Sequence, residues 1–367
     1  MPEWFYSAEL WILVGFHIFV ILMLAIDLGV FQRKAHAVSM REAAIWSTVW
    51  VALAVAFGIG IWQYWHLWHP AAAPDEGEQK AIEYFTGYLV EKSLSVDNLF
   101  VFLVIFRYFA VPPHLQHRVL FWGIIGALVM RATLILIGWQ LLENFHWMVY
   151  VFGGFLIYTG YKLLKSVEEN IDPGRNPVLR LARRFLPVID NYDSPRFWVK
   201  RDGRWYATPL PLVLLVVETT DVVFAIDSIP AIFGITSDPF IVYTSNIFAI
   251  LGLRALYFLL ANFLGMFRYL NIGLALVLAF VGVKMIAEGP LHDYGYLDAW
   301  GVGKRELILF SLAVIATILT VSVVASLIVG PAKPLESLPE DTALAPPPGE
   351  PVVDAGTENP EAPTRNP

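Results

Sequence analysis

Long apolar runs separated by short polar stretches dominate this chain, and the runs are too long to be the core helices of a soluble domain. A helix that crosses the hydrocarbon needs about 20 mostly apolar residues. Nine runs satisfy that length: 9–31, 43–62, 82–109, 118–141, 146–165, 208–233, 241–264, 269–288 and 304–329. Inside lipid every backbone N–H and C=O must find a partner within the protein, so such runs must be helical. The expected fold is all-α, a polytopic membrane protein of about nine transmembrane helices. Composition agrees: 57% of residues are hydrophobic and 16% charged, against about 45–50% and about 25% in soluble domains. Trp4, Trp62, Trp65, Trp139, Trp147, Trp205 and Trp300 sit near run ends, as interfacial aromatics do. The first run follows Met1-Pro2-Glu3-Trp4 without a basic flank, and is read as a retained helix, not a cleaved signal. The absence of cysteine excludes disulfides, thiolate metal sites and thiol redox chemistry.

Basic residues set the orientation. Arg33, Lys34 and Arg41 follow the first run, Arg107 and Arg118 the third, and Arg268 the seventh. The 166–206 stretch after the fifth adds Arg180, Arg183, Arg184, Lys200 and Arg201, whereas the even-numbered runs are followed only by Lys80, Lys304 and Arg305. The positive-inside rule then places the N-terminus outside and the C-terminus in the cytoplasm of a bacterial inner membrane. Beside Arg183-Arg184, Phe185-Leu186 make the 166–206 loop a candidate amphipathic segment against anionic lipid, with a solvated loop as the plainer alternative. From Pro331 to Pro367, ten prolines and seven acids against Lys333 and Arg365 read as a disordered tail.

An internal repeat organises the middle of the chain. Asp97, Arg131 and Lys162 recur, nearly in register, as Asp221, Arg254 and Lys284. Each unit holds three runs, an odd number, so the second copy enters from the opposite side. Inverted repeats of this kind build many secondary transporters, with the site at the midplane between them. The expected divisions are 1–80, two N-terminal helices; 81–165, first repeat; 166–206, basic loop; 207–289, second repeat; 290–330, last helix; and 331–367, tail.

Charges lie where lipid should forbid them. Glu91, Asp97, Glu218, Asp221 and Asp227 all fall within runs. At about 2.5–3.5 kcal/mol each on insertion scales, they would together cost about 12–18 kcal/mol uncompensated, which rivals the stability of a whole domain, about 5–15 kcal/mol. Arg131 and Arg254 neutralise two of the five and leave three negative charges. One divalent cation and one proton would balance these, and carboxylates that hold either suggest exchange of the two. Glu91, Ser95 and Asn98 share a helical face at i, i+4, i+7, and Glu218 and Asp221 share one at i, i+3. Asp227 lies on another side unless the helix unwinds near Pro230, which would free the Ile226 carbonyl as a ligand. The candidate metal set is therefore Glu91, Asp97, Asn98, Glu218, Asp221 and Asp227, supported by Ser95, Arg131 and Arg254. Oxygen donors of this kind suit Mg²⁺, Ca²⁺ or Mn²⁺. A structural polar network that binds helices together is the alternative reading. His17 is the only histidine well inside a run, and is expected to make an interhelical hydrogen bond.

The stretch Glu91-Lys-Ser-Leu-Ser-Val-Asp97-Asn98 and the stretch Glu218-Thr-Thr-Asp221-Val-Val-Phe-Ala-Ile-Asp227-Ser228-Ile-Pro230 closely resemble the TerC family, in its Alx-like variety. Thr244-Ser245-Asn246 through Arg254-Ala-Leu-Tyr-Phe fits as well. The resemblance covers roughly residues 8–330. It implies a membrane protein linked to manganese export and tellurite-resistance operons, similar to LysE-type exporters with three-helix repeats. Manganese is thus named by the resemblance; the residues alone reach a hard divalent cation. The expectation is a secondary transporter that exports Mn²⁺ in exchange for protons, not an enzyme, with no organic cofactor and no nucleic-acid partner. Two alternatives stand beside it: a membrane scaffold in metal or tellurite stress, and an intramembrane aspartyl protease. No Gly-x-x-x-x-Gly-Lys motif is present to couple ATP.

Overall fold

A computed structural model describes residues 8–31, 40–69, 72–165, 174, 176–189, 192, 194, 196–201, 203–260, 269–293 and 303–330. The tail after residue 330 and the end of the run read as 241–264 lie outside the described residues. The elements are α1 (Ala8–Phe31), α2 (Met40–Trp68), α3 (Glu76–Tyr108), α4 (Pro113–Asn144), α5 (Met148–Lys165), α6 (Pro177–Phe185), a hairpin of β1 (Trp198–Arg201) and β2 (Arg204–Ala207), α7 (Pro209–Phe233), α8 (Pro239–Leu251), α9 (Leu253–Leu260), α10 (Leu270–Asp293) and α11 (Lys304–Val329).

Local chemistry sets many of the boundaries. Proline opens α4, α6, α7 and α8, where its missing N–H is no loss and its fixed φ suits a first turn. The Asp238 carboxylate caps α8 by accepting from the Phe240 and Ile241 amides at 3.0 and 3.3 Å. Gly330, at φ +81°, ends α11 in a conformation that only glycine adopts freely.

Six helical segments are long and apolar enough to cross a membrane: 40–67, 113–144, 209–233, 239–259, 270–288 and 305–329. Three of the nine runs read from the sequence fall short by composition or length among the described residues. The segment 11–26 of α1 is apolar but short. At 33 residues α3 is long but rich in Glu, Asp, Lys and Arg, and α5 has 18 residues ending in Lys162 and Lys165.

Two local expectations are revised and one alternative is closed. The seventh run is not one helix: a turn at Gly252 separates α8 from α9. The lysine ammonium of Lys92 donates to the Ala249 carbonyl at 3.1 Å, so a cation satisfies the helix end that the turn leaves open. In α7 the helix continues through Pro230 to Phe233; so close to the C-terminal end, proline bends few remaining turns. Within 166–206 the chain builds α6 and the β1–β2 hairpin, in place of an irregular loop.

The most extensive helix packing joins α5 to α10, followed by α3 to α8 and α4 to α7. Glycine makes the first of these possible. A Cβ on Gly282 would meet the Gly153 carbonyl at 2.6 Å, and one on Gly160 would meet the Ala275 carbonyl at 2.7 Å. At the other side of the bundle Phe16 of α1 joins Phe57 and Phe248 in an aromatic cluster, the latter pair 4.9 Å apart. His17 bonds α1 to α8 as expected. Its Nδ1 lies 2.7 Å from the Leu13 carbonyl and must donate there, leaving Nε2 to accept from the Tyr243 hydroxyl at 2.8 Å.

Candidate functional site

Four helices converge on one guanidinium. Asp221 sits 12 residues from each end of α7, and Glu91 lies near the middle of α3. Between them, Arg131 of α4 is 1% exposed. Its Nη1 forms an ion pair with Glu91 Oε1. Nη2 and Nε reach the two Asp221 oxygens at 3.3 and 3.5 Å, a bidentate arrangement that only arginine offers. The same Nη1 donates to Asn246 Oδ1 of α8 at 2.8 Å and approaches Ser228 Oγ at 3.4 Å. Asp221 and Ser228, spaced i, i+7, present one face of α7 to it.

The cluster sets two carboxylates against one guanidinium in a buried setting. It also keeps unused polar capacity. Glu91 Oε2, Ser95 Oγ and Asn246 Nδ2 are buried with no hydrogen-bond partner among the described residues, although buried polar atoms are normally paired. Ser95 and Asn98 are buried on the same face of α3 as Glu91, as helical phase predicts.

Of the remaining candidates, Glu218 and Arg254 lie near Asp221, and Asp227 bonds elsewhere. Glu218 is half-buried and its carboxylate abuts the Gly126 backbone on α4, where any Cβ would overlap it. Asp227, also half-buried, accepts from the Thr159 hydroxyl of α5 at 3.3 Å and makes no contact with Arg131 among those described. Arg254 is buried, and with Asp221, Gly123 and Ala127 it lines a small cavity. The backbone of Asp97 belongs to α3, but its side chain lies outside the described residues. Among the described residues no three His, Asp or Glu side chains converge as a metal-binding group.

The candidate set leaves out Asn246 and Ser228, although both stand in the quoted motifs, because a neutral polar residue costs far less in an apolar run than a charge does. It also leaves out a second polar cluster, nearer the helix ends. There Lys80 bridges Glu83 at 3.2 Å and Asp238 at 2.7 Å, while the Thr236 hydroxyl donates to Glu83 Oε2 at 2.5 Å. This cluster ties the start of α3 to the turn between α7 and α8.

Comparisons with known proteins agree with the architecture. Residues 76–333 match the integral membrane protein TerC family. An uncharacterized membrane protein of Myxococcus xanthus, STKORF319, is 50% identical over 322 residues, 88% of this chain and 93% of its own length. A Salmonella typhi protein named "Putative membrane-bound redox modulator Alx" is 45% identical over 311 residues, 84% of this chain and 92% of its own. The chloroplastic thylakoid membrane protein TERC of Arabidopsis thaliana is 46% identical over 257 residues, 70% of this chain and 63% of its own. No solved structure matches the chain. With apolar helices of membrane-crossing length and a match over most of its sequence, this chain is an integral membrane protein of the TerC family.

Proposed function

We propose that the chain is a secondary transporter that exports a hard divalent cation, most consistent with Mn²⁺, from the cytoplasm in exchange for protons. The observation that carries this reading is the Glu91–Arg131–Asp221 cluster: two buried acids against one base, on helices from both halves of the chain, with polar atoms to spare. In this reading a cation and the Arg131 guanidinium compete for the same carboxylates, so that the arginine holds the acids whenever metal or protons do not. Asp97, Asn98, Ser95 and Asn246 would complete an oxygen-rich shell suited to a hard cation. Glu218, one helical turn from Asp221, and Asp227, bonded to Thr159, would serve as proton or relay sites along the path.

Packing supports an inverted repeat with α3–α5 in one copy and α7–α10 in the other. Exchanging the copies swaps the α3–α8 contact with the α4–α7 contact, and returns α5–α10 and α3–α7 to themselves; all four pairs pack extensively. Alternating access by rocking of the two copies about the central acids follows from such symmetry. The nine-helix membrane topology, with the N-terminus outside and the C-terminus inside, belongs to the same proposal. The Salmonella relative's name speaks of redox modulation. With no cysteine here, an effect on redox balance would run through what the protein transports.

Asp97→Asn should abolish Mn²⁺ uptake into inverted membrane vesicles driven by a pH gradient, while membrane level and monodispersity in detergent stay unchanged. Uptake at the wild-type rate would remove Asp97 from the mechanism. Uptake by neither protein, with or without the gradient, would sink the transporter reading itself.

A further inference from the structure

The segment between α5 and α7 has a physical character that metal export does not use. From residue 177 to 206 it holds seven Arg or Lys against three Asp. Its described residues lie against one end of the bundle. The Tyr192 hydroxyl, which burial pushes up to about 12 and so keeps protonated, donates to the Phe109 carbonyl in the α3–α4 turn at 2.7 Å. Ala207 exchanges backbone hydrogen bonds of 2.9 Å with Pro187 and Ile189, and Asn176, the cap of α6, donates to Thr219 of α7 at 2.9 Å.

So anchored, the segment turns apolar groups outward. Leu179 of α6 is buried, with Ala182 and Leu186 packed beside it against the core. On the opposite side of the same helix, Leu181 and Phe185, spaced i, i+4, are 57% and 73% exposed, with Arg184 three residues from Leu181. The hairpin repeats the pattern. Its register places Lys200 opposite Trp205 and Trp198 opposite Ala207, so that Trp198, Lys200 and Trp205 share one face of the ribbon. Trp198 and Trp205 are 45% and 63% exposed.

We propose that this segment is an interfacial anchor for anionic phospholipid. Leu181, Phe185, Trp198 and Trp205 would enter the boundary between headgroups and acyl chains, with Arg183, Arg184 and Lys200 on the headgroup phosphates. Tryptophan and lysine on one face are the mixture that interfaces favour, a wet end and an apolar body. The surface is also continuous with the membrane-crossing part of the protein. Phe197, next to Trp198, packs edge-on against Trp122 of α4 at 6.4 Å and lies under the Arg118 guanidinium at 5.4 Å. Trp122 is itself half exposed on a helix long and apolar enough to span the bilayer. Excess positive charge selects acidic lipid over a neutral one.

The chain lacks cysteine, so Phe185→Cys in the full-length protein gives one labelling site. The labelled protein is placed in nanodiscs of phosphatidylcholine, with or without phosphatidylglycerol, and quenching of an environment-sensitive fluorophore by acyl-chain nitroxide is compared with quenching by aqueous iodide. Added phosphatidylglycerol is expected to raise lipid-side quenching and suppress iodide quenching, whereas inorganic phosphate in phosphatidylcholine discs changes neither. Arg183→Gln and Arg184→Gln, both at exposed sites, should each weaken that lipid dependence by about fivefold, the equivalent of ~1 kcal/mol per basic group. Full iodide access in both lipids would overturn the proposal in favour of a solvated segment. Protection that ignores phosphatidylglycerol but needs two chains per disc would overturn it in favour of a second copy.

Discussion

Replacing Arg131 with methionine should destabilise the protein by about 3–5 kcal/mol, more than Glu91→Gln or Asp221→Asn does. The asymmetry follows from the count of charges. Arg131 is the one base that Glu91 and Asp221 are seen to share, and it is buried together with them. Methionine matches much of its volume but leaves both carboxylates uncompensated in a low-dielectric interior, where the penalty for an unpaired charge is full. Glu91→Gln, by contrast, keeps an oxygen for Nη1 and leaves the bidentate pairing with Asp221 in place, so the guanidinium stays satisfied. The double variant Arg131→Met/Glu91→Gln should be more stable than Arg131→Met alone, which is the signature of coupling within one network. Unfolding of the purified variants in one detergent, followed by near-ultraviolet circular dichroism, measures all four. Equal losses for Arg131→Met and Glu91→Gln would mean that the ion pair contributes no more than a neutral hydrogen bond, and that the central charge imbalance on which the transport reading depends is absent.

The acids and the arginine of that cluster were legible in the sequence because charge in an apolar run is expensive, and helical phase predicts which neighbours share a face. Glu91, Ser95 and Asn98 do fall together on α3, and Asp221 does meet Arg131. What connects across helices was less visible. Asn246 and Ser228 complete the shell around Arg131 from α8 and α7, yet a neutral polar residue in a run costs too little to single it out. Thr159, the partner of Asp227, is hidden for the same reason. Phase alone separated Asp227 from Asp221; only an unwinding at Pro230 would have reunited them, and the helix stays continuous there. The break at Gly252 was missed because an apolar run is blind to a glycine whose role is set by its neighbours, here Lys92 and Trp50, 3.0 and 3.1 Å from where a Cβ would sit. The hairpin escaped notice because strands of four residues give too short an alternation to stand out from a loop.

Gly153→Leu should prevent stable assembly of the helical core, while Gly154→Leu, one position along, should leave it intact. Both glycines lie in α5, but only one faces α10. A Cβ at position 153 would come within 2.6 Å of Ile286 and 2.8 Å of the Gly282 carbonyl, whereas nothing lies within 4 Å of one at position 154. Since the obstruction includes backbone, no rotamer change on α10 can relieve it, and the helices must separate. In lipid no hydrophobic force then restores contact, because acyl chains solvate the exposed faces as well as the partner helix did; close van der Waals packing of small residues is what holds such a pair together. Overpacking of a tight core costs about 1–3 kcal/mol where side chains can adjust, and a backbone clash at the most extensive helix contact in the bundle should exceed that range. The two variants, expressed together with wild type and compared by fluorescence-detected size-exclusion chromatography after heating, separate a packing role from a general intolerance of leucine in α5. If both variants survive alike, α5 and α10 do not approach as closely as the glycines allow. The contact proposed to lie on the pseudo-two-fold axis would then be too loose to act as a pivot between the two halves.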